Sequence, residues 1–146
     1  MKQISELIEG QTLTVIEPQW NVRTAAQRMS ERNIGAVAVV DSGKLAGIFS
    51  ERDIMSRVVA QGLDPDSTLV ELVMSTELVV AEPSERVESA LQKMQAINSR
   101  HLPVVDDGKL VGMISIRDLL TVDDEQQRAK ATFLNELVTY SPDYES

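Results

Sequence analysis

The sequence contains the same segment twice. Residues 4–54 and 69–119 align without a gap at a constant offset of 65, and 21 of the 51 aligned pairs are identical. The strongest match joins residues 39–47 to residues 104–112. A unit of about 50 residues buries little of its surface when it folds alone. We therefore expect one module with a pseudo-twofold axis, in which the two copies share a single hydrophobic core.

Composition narrows the possible functions. The net charge is −9, which argues against binding along a nucleic-acid backbone. The absence of cysteine excludes disulfides, thiolate metal sites and cysteine nucleophiles, and a single histidine disfavours a zinc site. No apolar run approaches ~18 residues, and the first residues lack the apolar region of a signal peptide. We expect a cytoplasmic protein that binds neither nucleic acid nor a membrane.

Each copy has the pattern strand–helix–strand–strand–helix after a short helical turn, which predicts an α+β fold. β-branched stretches ending in proline predict the first strands, at residues 13–18 and 78–83. Apolar side chains at helical spacing predict the first helix of each copy. Paired apolar runs around a glycine-containing turn predict two hairpins. The runs are residues 36–40 with 45–49 in the first copy, and 102–105 with 110–114 in the second.

Side chains that end or begin helices mark the element boundaries. Asn21 and Ser84 are predicted N-caps, while Asn33 and Asn98 suit helix C-terminal ends. A second helix is predicted in each copy, beginning near Ser50 in the first copy and near Ser115 in the second. In the first copy its apolar face would contain Ile54, Val58 and Val59, and Gly62 would end it.

The chain is accordingly divided into three parts. Copy 1 covers residues 4–62, copy 2 covers residues 69–122, and residues 123–146 form a C-terminal helix and tail. The segment between the copies contains glycine, proline and aspartate, which is typical of a connection. The apolar stripe in residues 123–138 predicts an additional helix.

Each copy ends in the motif Ser-x-Arg-Asp, which has two interpretations. The motif residues are Ser50, Arg52 and Asp53 in copy 1, and Ser115, Arg117 and Asp118 in copy 2. Serine followed three residues later by aspartate resembles a capping box, which would need no ligand. Alternatively, a helix N-terminus with a hydroxyl and an arginine attracts phosphate, and the carboxylate can accept ribose hydroxyls. The second interpretation predicts a nucleotide site.

The two copies differ most in polarity just before their hairpins. Copy 2 has Arg100 and His101 where copy 1 has Gly35 and Ala36. A lone histidine usually packs or is solvated without a further role. Beside an arginine at the start of a strand, however, its imidazolium could meet a phosphate, and binding would then strengthen at low pH. No glycine-rich phosphate loop, Gly-x-Ser-x-Gly or His-Glu-x-x-His motif supports an enzyme.

The repeat and its motifs resemble a known family. Residues 47–53, 112–118 and 100–106 are similar to the matching segments of a cystathionine-β-synthase (CBS) domain pair, or Bateman module, of the small stand-alone bacterial type. The resemblance implies doubled β-α-β-β-α units packed about a pseudo-twofold axis. It also implies a regulatory, non-enzymatic protein that binds AMP, ADP, ATP, NAD or S-adenosylmethionine between the copies, forms a homodimer through its helices and regulates an unidentified protein. The alternative is a structural dimerisation or scaffold protein without a ligand.

The resemblance also implies which residues form each cleft. Asp53 would hold ribose, with Ser50 and Arg52 near phosphate, facing the region of Thr76 and residues 99–101. The second cleft would combine Asp118, Ser115 and Arg117 with the region of Gln11 and residues 34–36. Because the second cleft would then receive Gly35 and Ala36 in place of Arg100 and His101, we expect the Asp53 cleft to bind a phosphorylated ligand more tightly.

Overall fold

The computed structural model describes residues 3–126, with the backbone alone for residues 122–126. The predicted combination of helices and strands is confirmed. Copy 1 contains α1 (Ile4–Ile8), β1 (Val15–Ile16), α2 (Val22–Arg32), β2 (Ala36–Asp41), β3 (Lys44–Ser50), α3 (Glu51–Asp53) and a π-helix (Ile54–Val59). Copy 2 contains α4 (Val70–Val73), α5 (Val87–Ile97), β4 (His101–Asp106), β5 (Lys109–Ser115) and α6 (Ile116–Gln126).

The two predicted hairpins form with matching registers. β2 and β3 pair antiparallel with Ala36 opposite Ser50, and β4 and β5 pair with His101 opposite Ser115. Each turn places two residues at positive φ, namely Ser42 and Gly43 in copy 1 and Asp107 and Gly108 in copy 2. Two-residue turns of this kind match the right-handed twist of antiparallel strands. The hairpin places the start of its first strand beside the residue that begins the next helix.

The first strand of each copy is shorter than predicted. In copy 1, β1 is reduced to Val15–Ile16, which pairs parallel with β2. The prediction for copy 2 is wrong, because only Ala81 pairs, as a single parallel bridge to Val104. Ala81 stands where copy 1 has Ile16 and has a weaker preference for extended structure. The proline that follows also lacks an N–H for further pairing.

Three of the four predicted helix caps are confirmed. The Asn21 side chain accepts a hydrogen bond from the Thr24 backbone N–H at 2.8 Å and begins α2. Asn33 and Asn98 end α2 and α5 in the left-handed conformation, with φ of 55° and 53°. Asparagine tolerates this conformation better than most residues because its short side chain can bond locally.

The prediction that Ser84 begins α5 is wrong. The helix begins at Val87, with Arg86 at the N-cap position. Residues 82–85 form a turn instead, in which the Glu85 carboxylate accepts a bond from the Glu82 N–H and pairs with Lys93 Nζ at 2.8 Å. Because the Glu85 carboxylate holds these residues in a turn, α5 starts later than the position of Ser84 predicts.

The helix after Ser50 changes from α to π geometry at Ile54. The Ala60 N–H donates to the Met55 carbonyl, five residues earlier, at 2.8 Å. A π-helix turns less per residue than an α-helix, so the 3.6-residue spacing used for the prediction does not apply. Val58 is buried as predicted, whereas Val59 is 69% exposed and does not belong to the buried face of the helix. Gly62 lies in the turn that follows, with φ of 70°.

The expected single core is wrong, because buried side chains form two clusters, one in each copy. The clusters exchange their leading helices. Val70 and Val73 of α4 are buried in the copy 1 cluster, around Phe49. Ile4 of α1 is buried in the copy 2 cluster, around Leu102. Each cluster therefore depends on a helix supplied by the other copy, which joins the copies despite the divided core.

The C-terminal part differs from the predicted division where the structure describes it. Residues 123–126 continue α6, which runs unbroken from Ile116 to Gln126. The rest of the predicted additional helix and tail lies outside the described residues, and the domain boundaries stay a prediction. No helix within residues 3–126 combines the length and apolar content that crossing a membrane requires.

Candidate functional site

A cleft of about 780 Å³ lies between the two copies. Copy 1 contributes the segment before β1, the start of β2 and Glu51. Copy 2 contributes the start of β4 and the first turn of α6. The volume falls within the roughly 300–1,000 Å³ typical of small-molecule sites. The cleft is thus large enough for a nucleotide-sized ligand.

The hairpin of copy 2 brings the polar side chains of this cleft together. His101 is paired with Ser115 across the hairpin, and the Ile116 N–H donates to the Arg100 carbonyl at 2.9 Å. The motif residues Arg117 and Asp118 follow on the first turn of α6, so all five side chains are near neighbours. On its copy 2 side the cleft therefore presents two arginines, a histidine, a hydroxyl and a carboxylate, and copy 1 adds the carboxylate of Glu51.

Asp118 lies at the beginning of α6 and remains exposed. Its Oδ2 accepts a bond from the Ser115 N–H at 2.9 Å, and its own N–H donates to Ser115 Oγ at 3.2 Å. This is the capping box predicted from the motif. Among the side chains that the structure describes, those of residues 3–121, none donates to Asp118 Oδ1, and Asp118 is exposed, so this oxygen is accessible to a ligand.

The residues predicted for the Asp118 cleft are brought together. Ser115, Arg117 and Asp118 face Gln11 and residues 34–36 across the cleft. The prediction that Arg100 and His101 join Asp53 is wrong, because both line the cleft that contains Asp118. Arg100 lies directly before β4, and His101 is its first residue. Because β4 pairs with β5, which leads into α6, the hairpin fixes both residues beside the Ser-x-Arg-Asp motif of copy 2.

Asp53 has the same sequence context as Asp118 but different surroundings. Its side chain is buried, and Ser75 Oγ donates to both carboxylate oxygens, at 3.1 and 3.4 Å. The Ser50 N–H and hydroxyl donate to Oδ2 at 2.9 and 3.1 Å. Neither Ser50, Arg52 nor Asp53 is among the residues that line the cleft. Copy 2 meets Asp53 as predicted, but through Ser75 rather than Thr76.

The two junctions between the copies differ in kind. In one, the backbones of Ile48 and Ser75 exchange hydrogen bonds of 3.0 and 2.8 Å. In the other, the Gln11 side-chain amide replaces a backbone, donating to the Met113 carbonyl at 2.7 Å and accepting from the Met113 N–H at 3.0 Å. Gln11 is thereby fixed at the edge of the cleft.

Sequence reasoning missed the residues that make Asp53 different. Ser75 is aligned with Gly10, and Arg57 is aligned with Val122 at the same offset of 65. The first difference lies within the aligned residues and the second lies three residues beyond them, and both are outside the shared motif. Their importance depends on a contact between copies, which the alignment does not show.

His101 is half-buried between charged groups. Burial lowers the pKa of His101 below its ordinary value, since it disfavours the imidazolium. The carboxylates of Glu51 and Asp118 oppose this change, and Arg100 adds to it. Without a ligand, the imidazole is therefore neutral at pH 7.

Lowering the pH below about 6.5 is expected to destabilise the protein through His101. The unfolded chain binds the proton more readily than the folded chain, so the free energy of unfolding falls by at most about 1.4 kcal/mol per pH unit until the folded pKa is reached. Urea unfolding of the wild type and of His101→Gln at pH 7.5, 6.5 and 5.5 measures this. His101 is the single histidine of the chain, so the difference between the two slopes isolates it. Equal slopes would contradict the assignment.

The polar groups of the cleft indicate the kind of ligand that it can bind. Among the described side chains, those of residues 3–121, no group of three or more histidine, cysteine, aspartate or glutamate residues is placed to hold a metal ion. The donors of the cleft are instead two guanidinium groups, an imidazole and a hydroxyl. Such donors suit phosphate and hydroxyl oxygens.

The comparison with known proteins finds one family model that matches each of the two copies. The model of the CBS domain family matches residues 8–60 and 65–125. The chain is 36% identical over 135 residues to the CBS domain-containing protein YhcV of Bacillus subtilis, covering 92% of this chain and 95% of that protein. Both Ser-x-Arg-Asp motifs lie within the residues that match the family model.

Solved structures share the fold. A protein with CBS domains from Burkholderia ambifaria superposes with a TM-score of 0.82 at 34% identity, covering 86% of this chain and 96% of that chain. The CBS domain pair of protein MJ0100 superposes with a TM-score of 0.74 at 25% identity, covering 83% of this chain and 98% of that chain. That structure contains 5′-methylthioadenosine and S-adenosyl-L-methionine.

Proposed function

The chain belongs to the CBS domain family and carries two CBS domains in tandem, and from that premise we propose that it is a regulatory module that senses adenine nucleotides. The ligand is AMP, ADP or ATP, bound in the cleft between the copies. The observation that carries this proposal is the accessible Asp118 carboxylate beside Arg100 and Arg117 in a cleft of about 780 Å³.

The chemistry of the cleft assigns a role to each side chain. Asp118 accepts the ribose hydroxyls through its free oxygen. Arg100 and Arg117 bind the phosphate, since a guanidinium donates two parallel hydrogen bonds to phosphate oxygens. The Ser115 hydroxyl adds a donor at the positive end of an eleven-residue helix. The separation of anion-binding and hydroxyl-binding groups favours a nucleotide over free phosphate.

A neighbouring structure supports an adenosyl ligand. The CBS domain pair of MJ0100 was crystallised with two adenosine derivatives, 5′-methylthioadenosine and S-adenosyl-L-methionine. Neither carries a phosphate, so they support the adenosine part of the proposal alone. The two arginines of this cleft are the feature that favours a phosphorylated ligand. The regulated protein and the cytoplasmic location stay predictions, and the proposed role needs no catalytic step.

A ligand-free dimerisation or scaffold protein is the second candidate. It is favoured by large apolar side chains on the π-helix and the adjacent α4, where Met55 is 61%, Val59 is 69% and Leu72 is 73% exposed. The π-helix and α4 are in contact, and exposed apolar patches are typical of protein interaction surfaces. A homodimer through these helices is compatible with both candidates, so dimerisation alone does not separate them.

A thermal-shift screen with AMP, ADP, ATP, NAD and S-adenosylmethionine separates the candidates. A ligand at 100 times its dissociation constant stabilises the folded state by ~2.7 kcal/mol, which raises the Tm by roughly 5–11 °C for a chain of this size. The sensor is expected to respond most to a phosphorylated nucleotide. The absence of a shift with every millimolar ligand would favour the scaffold.

A further inference from the structure

We propose that Asp53 forms a latch between the two copies with Arg57 and Ser75, and that the chain therefore binds one nucleotide, at Asp118, rather than two. The number of bound nucleotides rests on the function proposed above. The latch rests on contacts within the chain and is tested separately. The name latch refers to these three side chains throughout.

The first step is that both oxygens of the Asp53 carboxylate already accept hydrogen bonds within the protein. The Ser75 hydroxyl lies within hydrogen-bond distance of both carboxylate oxygens, and the Ser50 N–H and hydroxyl donate to Oδ2. The side chain of Asp53 is 6% exposed. A ribose hydroxyl would have to displace the Ser75 hydroxyl from this carboxylate.

The second step is the role of Arg57. Its Nη1 donates to the carbonyls of Met74 and Val73 at 3.0 and 3.5 Å, at the end of α4. Its Nε lies 3.8 Å from Asp53 Oδ1. Arg57 thus connects the copy 1 carboxylate to the copy 2 segment that carries Ser75. Lysine and arginine side chains commonly bond the unpaired carbonyls at helix C-terminal ends.

The third step is the difference between the copies. Copy 1 has Gly10 at the position of Ser75, and copy 2 has Val122 at the position of Arg57. Glycine and valine supply neither the hydroxyl nor the guanidinium that Asp53 uses. Asp118 is correspondingly exposed, while its capping box is the same. Two residues outside the shared motif therefore decide which carboxylate is available to a ligand.

The latch is tested on the ligand-free protein by thermal unfolding of Asp53→Asn, Ser75→Ala and the double variant. Each single change is expected to lower the Tm by about 2–4 °C, and the double variant to be little worse than the worse single variant. Asp118→Asn is the matched control, because it alters the same capping box without a latch. Additive effects, or equal losses in Asp53→Asn and Asp118→Asn, would overturn the latch.

The number of sites is tested by calorimetric titration of the whole chain with AMP. The wild type is expected to bind one AMP per chain. The double variant Arg57→Val, Ser75→Gly, which copies the residues of the other repeat, is expected to bind two. Two AMP per wild-type chain, one of which is lost in Asp53→Asn, would overturn the inference. If the wild type binds no AMP, nucleotide sensing fails while the unfolding experiment still decides the latch.

Discussion

Replacing Asp118 with alanine is expected to weaken AMP binding by about 10- to 100-fold. The variant removes the acceptor for the ribose hydroxyls, and a hydrogen bond to a charged group contributes about 1.5–3 kcal/mol, where 1.4 kcal/mol corresponds to a tenfold change in affinity. Asp118 keeps an oxygen that accepts no hydrogen bond from the described side chains, those of residues 3–121, so this acceptor is available without rearrangement. Calorimetric titration of the folded variant with AMP measures the loss.

Two control variants make the result for Asp118 specific. Glu77→Ala removes an exposed carboxylate outside the cleft and is expected to leave AMP affinity within twofold of the wild type. It removes one negative charge, as Asp118→Ala does, and that loss of charge by itself favours the binding of an anionic ligand. Asp53→Ala is expected to lower the Tm and to leave the AMP affinity nearly unchanged, because the Asp53 carboxylate forms its hydrogen bonds within the protein. An Asp118→Ala affinity equal to that of Glu77→Ala would contradict the assigned ribose contact.

Local chemistry explains why much of the fold was predictable. The hairpins follow from two-residue turns that require positive φ, and glycine at the second turn position permits it. Asn21, Asn33 and Asn98 act through bonds within a few residues of their own positions. The capping boxes at Ser50 and Ser115 likewise depend on residues three apart. Such features need no knowledge of how the copies pack.

Contacts between the copies explain what the sequence did not reveal. The divided core depends on Ile4 and Val70 crossing to the other copy, and no periodicity within one copy indicates where a leading helix packs. The availability of Asp118 depends on the contrast between Ser75 and Gly10, which is visible in the alignment but meaningful only once Ser75 is known to contact Asp53. The sequence predicted tighter binding in the Asp53 cleft, whereas the non-local neighbours of the two carboxylates bury Asp53 and leave Asp118 exposed.

Replacing Gly47 with alanine is expected to destabilise the protein by about 1–3 kcal/mol, which lowers the Tm by roughly 2–12 °C. A Cβ atom at this position would lie 2.8 Å from the Ser75 carbonyl oxygen and 2.8 Å from Met74 Sδ. The methionine side chain can move, but the carbonyl accepts the Ile48 N–H at 3.0 Å and is fixed by it. Thermal unfolding of the variant measures the cost.

Gly35→Ala is the matched control for Gly47→Ala, because its new Cβ would approach Glu51 Oε1 at 3.1 Å. That atom ends an exposed, flexible side chain, so we expect a Tm within about 2 °C of the wild type. Displacing Ser75 in Gly47→Ala would also withdraw its hydroxyl from Asp53. Asp53→Asn is therefore expected to lower the Tm less in the Gly47→Ala variant than in the wild type, since the hydrogen bond between Ser75 and Asp53 that it removes is already weakened. A Gly47→Ala variant as stable as Gly35→Ala would show that the copies are not tightly joined here, and the latch would lose its support.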